Sequence, residues 1–188
     1  MYIDLLAGSG HKIHGPKGIG FLYVRRSNPH VYLKEQINGG KHERSMRSGT
    51  LNVPGIIGLG KAIEISTRNL ENCNQHLKEL RDMLENSLLQ NIPGSKVNGP
   101  ESKFRLPNNL NIYIPGVEAE ALIIASVNKI SFSTGAACTS ASIEPSHVLK
   151  AISCNTSRIF QSIRIGLSVN SKKADIEFAA ETLITLAS

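Results

Sequence analysis

Ser9-Gly10-His11-Lys12, followed by Gly15-Pro16-Lys17-Gly18, is the stretch around which the chain is organised. A lysine behind a Ser-x-His triplet, ahead of a glycine-rich turn and a strand, suits an amine that holds a carbonyl cofactor. Such an amine forms a Schiff base with an aldehyde. The serine hydroxyl and a histidine ring N–H can donate hydrogen bonds to a nearby phosphate, and the glycines let backbone approach closely. The same tetrapeptide also fits a basic, solvated surface turn, so its meaning depends on the rest of the chain.

Working outward, the 188 residues suffice for one sizeable domain or one and a half smaller ones. With 40% apolar and 19% charged residues, the composition is that of a soluble globular protein. No run of 18 apolar residues is present, so no membrane span is expected. Asp4 ahead of His11 and Lys12 does not have the order of a secretory signal. Cys73, Cys138 and Cys154 are odd in number and widely spaced. They form neither a disulfide frame nor a metal site, and they point to a reducing compartment, the cytoplasm or an organelle matrix.

The net charge of +6 is uneven: residues 1–60 hold eight Lys/Arg against three Asp/Glu, and residues 61–188 thirteen against twelve. A basic first third suits nucleic acid or a small anion. It lacks the aromatic platforms of single-strand binders, and its glycines break any basic helix, so a phosphate-bearing small molecule fits better.

Residues 19–24 read as a strand, ended by Arg25-Arg26-Ser27-Asn28-Pro29. The polar, glycine-bearing segment 34–53 holds Gly39-Gly40-Lys41-His42-Glu43-Arg44 and Arg47-Ser48-Gly49-Thr50, and a long irregular segment of this kind is usually functional or disordered. Pro54 opens a helix with Ile56, Leu59 and Ile63 at helical spacing, and Gly58 and Gly60 allow close packing. A second stripe runs Leu70, Cys73, Leu77, Leu80, Leu84, Leu88 and stops before Ile92-Pro93-Gly94, which makes Cys73 a small core residue. Next come a strand at Leu110, Ile112 and Ile114, a helix over 118–127, and a helix opened by Pro145. A strand over 162–167 comes next, then a last helix with Ile176, Ala180, Leu183 and Ala187 on one face. Residues 71–188 thus read as an α+β or sandwich-like α/β unit with its own core. Residues 1–50 resemble the tail of a larger domain, with little to bury by themselves.

Two further segments carry chemistry. Ser133-Thr134-Gly135-Ala136-Ala137-Cys138-Thr139-Ser140-Ala141-Ser142 surrounds a cysteine with small and hydroxyl residues, which makes an accessible loop; a free cysteine in an ordinary turn fits it too. Arg164 alternates with Ile163, Ile165 and Leu167, opposite the apolar side of its strand, where it suits bidentate capture of a carboxylate or simply a solvated sheet face. Gly55-Ile56-Ile57-Gly58-Leu59-Gly60-Lys61 has the wrong spacing for a nucleotide P-loop, and Ala62 stands where Ser or Thr is required. It is not the dinucleotide glycine pattern either.

Taken in order, Ser9-Gly10-His11-Lys12, Gly15-Pro16-Lys17-Gly18-Ile19-Gly20, Arg47-Ser48-Gly49-Thr50, Cys138-Thr139-Ser140-Ala141-Ser142 with Glu144-Pro145, and Ser162-Ile163-Arg164 resemble the cysteine desulfurases of the NifS/IscS type. These are class V aminotransferase relatives with the pyridoxal-phosphate-dependent transferase fold type I, an α/β fold. The resemblance implies pyridoxal 5'-phosphate as cofactor, held covalently by Lys12, with Ser9 and His11 on its phosphate. It implies that Thr50 reaches the phosphate of the neighbouring subunit in a homodimer and that Arg164 holds the carboxylate of L-cysteine. It further implies that Lys12 moves the Cα proton, and that Cys138 takes the sulfur as a persulfide and leaves alanine. The sulfur would then pass to an acceptor such as an iron–sulfur scaffold or a thio-cofactor or tRNA relay.

The resemblance also implies that residues 1–70 are the C-terminal part of the large cofactor-binding domain and that 71–188 are the small domain with the cysteine loop. The aspartate partner of the pyridine nitrogen and most of the sheet would belong to an N-terminal half beyond this sequence. The segment before Lys12 is then expected to have nothing to pair with, and residues 1–60 to expose an apolar face. The alternative is a non-catalytic fragment, a module that accepts sulfur or binds partners.

Overall fold

Leu5-Leu6-Ala7-Gly8-Ser9 and Gly20-Phe21-Leu22-Tyr23-Val24 are two short apolar runs separated by the glycine-rich turn, a pattern that closes on itself. A computed structural model describes residues 2–134, 145–152 and 155–188. In it these runs form an antiparallel hairpin of β1 (Leu5–Ser9) and β2 (Gly20–Val24), in register from Leu5↔Val24 to Ser9↔Gly20. The segment before Lys12 therefore does have a partner strand, contrary to the expectation from sequence. The physical reason is local: Gly8 leaves room for the ring of Phe21 opposite it, where a Cβ would collide with the ring. Arg25 fastens the open end. Its amide donates to the Asp4 carbonyl (2.9 Å), its Nε donates to the Ile3 carbonyl (3.1 Å), and its guanidinium pairs with the Asp4 carboxylate (3.0 Å).

The chain divides into two compact units, Met1–Leu70 and Glu71–Ser188. The first holds the hairpin, a 3-10 turn at Gly10–Ile13, a single turn α1 (His42–Ser45) and the helix α2 (Val53–Arg68). Asn52 caps α2 by accepting from the Gly55 amide (3.1 Å), and Pro54 lies in its first turn. Of the stripe read from the sequence, Leu59 is buried together with Ala62, while Ile56 and Ile63 are exposed. Leu5, Leu6, Phe21, Leu22 and Tyr23 on the hairpin are 40–55% exposed.

The second unit is a sheet of order β3-β4-β5, all antiparallel, built from β3 (Lys96–Val97), β4 (Asn109–Tyr113) and β5 (Ser162–Gly166). Alternation gives Leu110, Ile112, Ile163 and Ile165 to the apolar side. They join one core with the stripes of α3 (Leu70–Asn91) and α7 (Lys173–Ala187) and with Ala119 and Leu122 of α4 (Ala119–Ala125). The stripe of α3 is buried from Leu77 onward, whereas Leu70 is exposed and Cys73 half-buried, so Cys73 is not a core residue. Arg81, also on α3, is fully buried. Its guanidinium pairs with Asp82 and donates to the Leu106 carbonyl (3.1 Å), so its charge is met inside the fold. Pro145 lies ahead of α5 (His147–Ala151), which Ser146 caps through the Leu149 amide. The short helix α6 (Thr156–Phe160) carries no apolar run long enough to announce it.

Candidate functional site

The lysine turn is built from close backbone approach. The Gly10 amide donates to the Ile19 carbonyl (2.9 Å) and the Gly15 amide to the Gly10 carbonyl (2.8 Å). A Cβ on Gly15 would sit 2.9 Å from the Gly10 carbonyl oxygen, so the two loop arms touch only because side chains are missing there. His14 takes the left-handed conformation that ends the turn (φ 62°). Helix α2 packs on the same loop through another missing side chain: a Cβ on Gly58 would lie 2.6 Å from the Pro16 ring.

On this turn His11 and Lys12 are exposed and Ser9 is half-buried. Among the described residues Lys12 makes no hydrogen bond or ion pair, and neither the Ser9 nor the His11 side chain has a partner. An unpaired primary amine, a hydroxyl and an imidazole are thus carried on one short segment. Their chemistry fits a phosphorylated aldehyde such as pyridoxal phosphate: the amine suits the carbonyl, and the other two suit the phosphate.

Thr50 lies elsewhere in the same unit, exposed, two residues ahead of the cap of α2. The hydrogen bonds around it stay within its loop: Arg47 Nη1 donates to the carbonyls of Gly49 (3.0 Å) and Thr50 (3.4 Å).

Arg164 belongs to the second unit. It is half-buried on β5, paired with Asn111 of β4 on the polar side of the sheet. Its other edge is bridged to Ser133: the Arg164 amide donates to the Ser133 carbonyl (2.6 Å), and the Ser133 amide donates to the Arg164 carbonyl (3.0 Å). Cys138 lies outside the described residues, five positions after Ser133.

One group escaped sequence reasoning. Asn98 donates to Ser162 Oγ (2.8 Å) and to Asn111 Oδ1 (2.7 Å), and accepts from Arg158 Nε (2.6 Å). Arg158 also donates to the Val97 carbonyl (3.0 Å), and its guanidinium stands 5.7 Å from the Tyr113 ring centroid. This network ties all three strands together on the side where Arg164 stands. The bonds that Asn98 makes span 13 to 64 residues, so no local spacing announces its part.

No group of three or more metal-ligating side chains occurs among the described residues, and no described helix is long and apolar enough to cross a membrane.

Compared with known proteins, residues 1–178 match the family model described as aminotransferase class-V. The chain is 44% identical over 185 residues to the cysteine desulfurase IscS of Ehrlichia chaffeensis, covering 98% of this chain and 45% of that protein. It is 46% identical over 183 residues to cysteine desulfurase 1 of Trichormus variabilis, covering 96% and 44%. A NifS-like protein from Rickettsia africae superposes with a TM-score of 0.82 at 32% identity, covering 98% of this chain and 47% of that one. Another solved NifS-like protein gives 0.84 at 30% identity, covering 98% and 46%. The α/β fold expected from the sequence is thus present over part of its extent, and the chain spans less than half the length of the curated relatives it matches.

Proposed function

This chain belongs to the class V aminotransferase family, and on that premise we propose that it carries the cofactor lysine, the substrate arginine and the sulfur-accepting cysteine of a cysteine desulfurase. Class V aminotransferases and cysteine desulfurases depend on pyridoxal phosphate. The observation that carries the reading is the lysine turn: an exposed amine, unpaired among the described residues, held beside a hydroxyl and an imidazole on backbone that only glycine permits.

In this reading residues 1–70 are the part of the large domain that holds the cofactor, and residues 71–188 are the small domain. Ser9 and His11 donate to the phosphate, and Thr50 of one copy reaches the phosphate bound by a second copy, which makes the protein a homodimer. When bound, the cofactor supplies an electron sink for charge that develops at the substrate Cα. Lys12 holds its aldehyde and carries the Cα proton. Arg164 takes the carboxylate of L-cysteine in a two-pronged contact.

The Cys138 thiolate then attacks the substrate sulfur. The new S–S bond forms as the substrate Cβ–S bond breaks, its electron pair stays with the carbon skeleton, and protonation there gives alanine. The persulfide on Cys138 passes to an acceptor in the cytoplasm or an organelle matrix, such as an iron–sulfur scaffold or a thiolation relay.

Borohydride reduction of the chain with pyridoxal phosphate tests the cofactor half of this reading. A covalent adduct on Lys12, absent from Lys12→Ala, is the expected result, and labelling spread over surface lysines would defeat it. Cysteine-dependent alanine release, lost in Cys138→Ala, tests the second half. Persulfide on Cys138 that appears only when another desulfurase is present would instead favour a sulfur-accepting module, the reading that the exposed hairpin of the first unit keeps open.

A further inference from the structure

Ser48 is the one buried residue of the long polar segment 34–53, at 3% exposure, yet it is a serine flanked by Arg47 and Gly49 in a surface loop. Both of its polar groups turn back along the chain. The hydroxyl donates to the Gly40 carbonyl, and the amide donates to the Ile37 carbonyl (3.2 Å). Together they close residues 37–48 into a ring. Gly39 runs against it in a backbone conformation that glycine favours (φ 141°), and a Cβ added there would meet the Ser48 Cβ at 3.4 Å.

Inside that ring three consecutive non-glycine residues are left-handed: Glu43 (φ 47°), Arg44 (φ 58°) and Ser45 (φ 61°). Such residues are uncommon singly, and a run of them persists only where the surroundings over-determine it. Within the loop itself, two contacts bear on the run. The Met46 amide donates to the Glu43 carbonyl (3.1 Å), and Ser48 closes the neck.

Thr50 comes two residues after that closure and two before Asn52, whose side chain fixes the start of α2. Between these two anchors, Arg47 holds the Gly49 and Thr50 carbonyls. The backbone at Thr50 is thereby anchored on both sides, by the Ser48 clasp and by the α2 cap.

We infer that Ser48 is a positioning residue for phosphate recognition: its buried hydroxyl holds the 37–48 ring closed and so places the Thr50 hydroxyl where it meets a phosphate monoester. The inference rests on the proposal that Thr50 contacts the cofactor phosphate. Ser48 touches neither cofactor nor substrate; it acts through the loop.

The test compares pyridoxal phosphate with pyridoxal, which has the same aldehyde and no phosphate, by borohydride-fixed labelling of Lys12 in the chain and its variants. Thr50→Ala and Ser48→Ala are both expected to raise the half-saturating concentration of pyridoxal phosphate about tenfold, the loss of roughly one hydrogen bond, and to leave pyridoxal unchanged. Trypsin should cut after Arg44 and Arg47 about tenfold faster in Ser48→Ala than in the parent or in Thr50→Ala, and Ser48→Thr, which keeps the hydroxyl, should restore both readouts.

If Thr50→Ala loses the phosphate preference and Ser48→Ala keeps it, the inference is wrong and the proposed role of Thr50 stands. If Thr50→Ala also keeps the preference, that role fails and the inference falls with it. Equal weakening of pyridoxal and pyridoxal phosphate in Ser48→Ala, or unchanged tryptic cutting, would overturn the positioning role as well.

Discussion

The two units of this chain hold their shape by different means. Glu71–Ser188 gathers sixteen buried apolar side chains into one cluster, from Leu77 on α3 to Leu183 on α7. In Met1–Leu70 the buried apolar side chains among the described residues are Leu59 and Ala62, and hairpin residues such as Leu22 stay 55% exposed. The first unit keeps its form through missing side chains and backbone hydrogen bonds: Gly8 under Phe21, Gly58 against Pro16, Gly15 against Gly10, and Ser48 at the neck of its loop. Ser9, His11 and Lys12, whose side chains have no partner among the described residues, are in that unit. Reactive side chains do not need a large core behind them, but they do need backbone that cannot relax, and glycine contacts supply it without burying apolar area.

The contrast breaks most sharply at Leu84, which is fully buried at the centre of the α3 stripe. Leu84→Ala is expected to lower the stability of the second unit by about 3–5 kcal/mol in urea unfolding, while Leu22→Ala on the hairpin shifts nothing beyond about 0.5 kcal/mol. A comparable loss from Leu22→Ala would mean that the hairpin is buried in solution.

Glu85 gives the next largest effect. Its carboxylate takes both contacts of Arg105 Nη2, at 2.8 and 3.1 Å, while Arg105 Nε and Nη1 are buried without a partner among the described residues. Glu85→Ala leaves a guanidinium that is only 8% exposed with no counter-charge, so a loss of about 3 kcal/mol is expected from the urea midpoint. Glu85→Gln, which keeps an acceptor, should lose less.

In the first unit, Gly58→Val pushes a side chain into the Pro16 ring, and the expected loss is about 1–3 kcal/mol together with slower pyridoxal phosphate labelling of Lys12. Normal labelling in a destabilised variant would show that α2 supports the fold without placing the lysine. Asn52→Ala removes the cap of α2 and should lower stability by about 1 kcal/mol, read by thermal unfolding monitored by circular dichroism.

Much of the fold was legible because its signals are local. The proline and glycine stops around 92–94, the alternation at Leu110, Ile112 and Ile114, and the apolar faces of α3 and α7 each repeat with the period of their own element. Spacing misleads where burial depends on distant partners. Cys73 continues the α3 stripe by spacing but is only half-buried, and Arg81, a residue type that is rarely buried, is fully buried because Asp82, Ser102 and the Leu106 carbonyl meet its charge. The strand β1 was hidden for the same reason: Leu5-Leu6-Ala7-Gly8-Ser9 shows no alternation, and its pairing becomes evident only with Phe21 laid over Gly8.

Of the candidate site, the sequence by itself determined which groups are available. The order of Ser9, His11, Lys12, Thr50, Cys138 and Arg164 along the chain, and the glycines that let backbone come close, are matters of residue identity alone. Only the tertiary structure decided that Ser48 is a buried clasp, that Gly58 admits Pro16, and that Asn98, Arg158 and Ser162 brace the strand of Arg164. These contacts join residues as far as 64 positions apart in the chain through hydrogen bonds and van der Waals distances. Such contacts have no period, and a sequence signals by period.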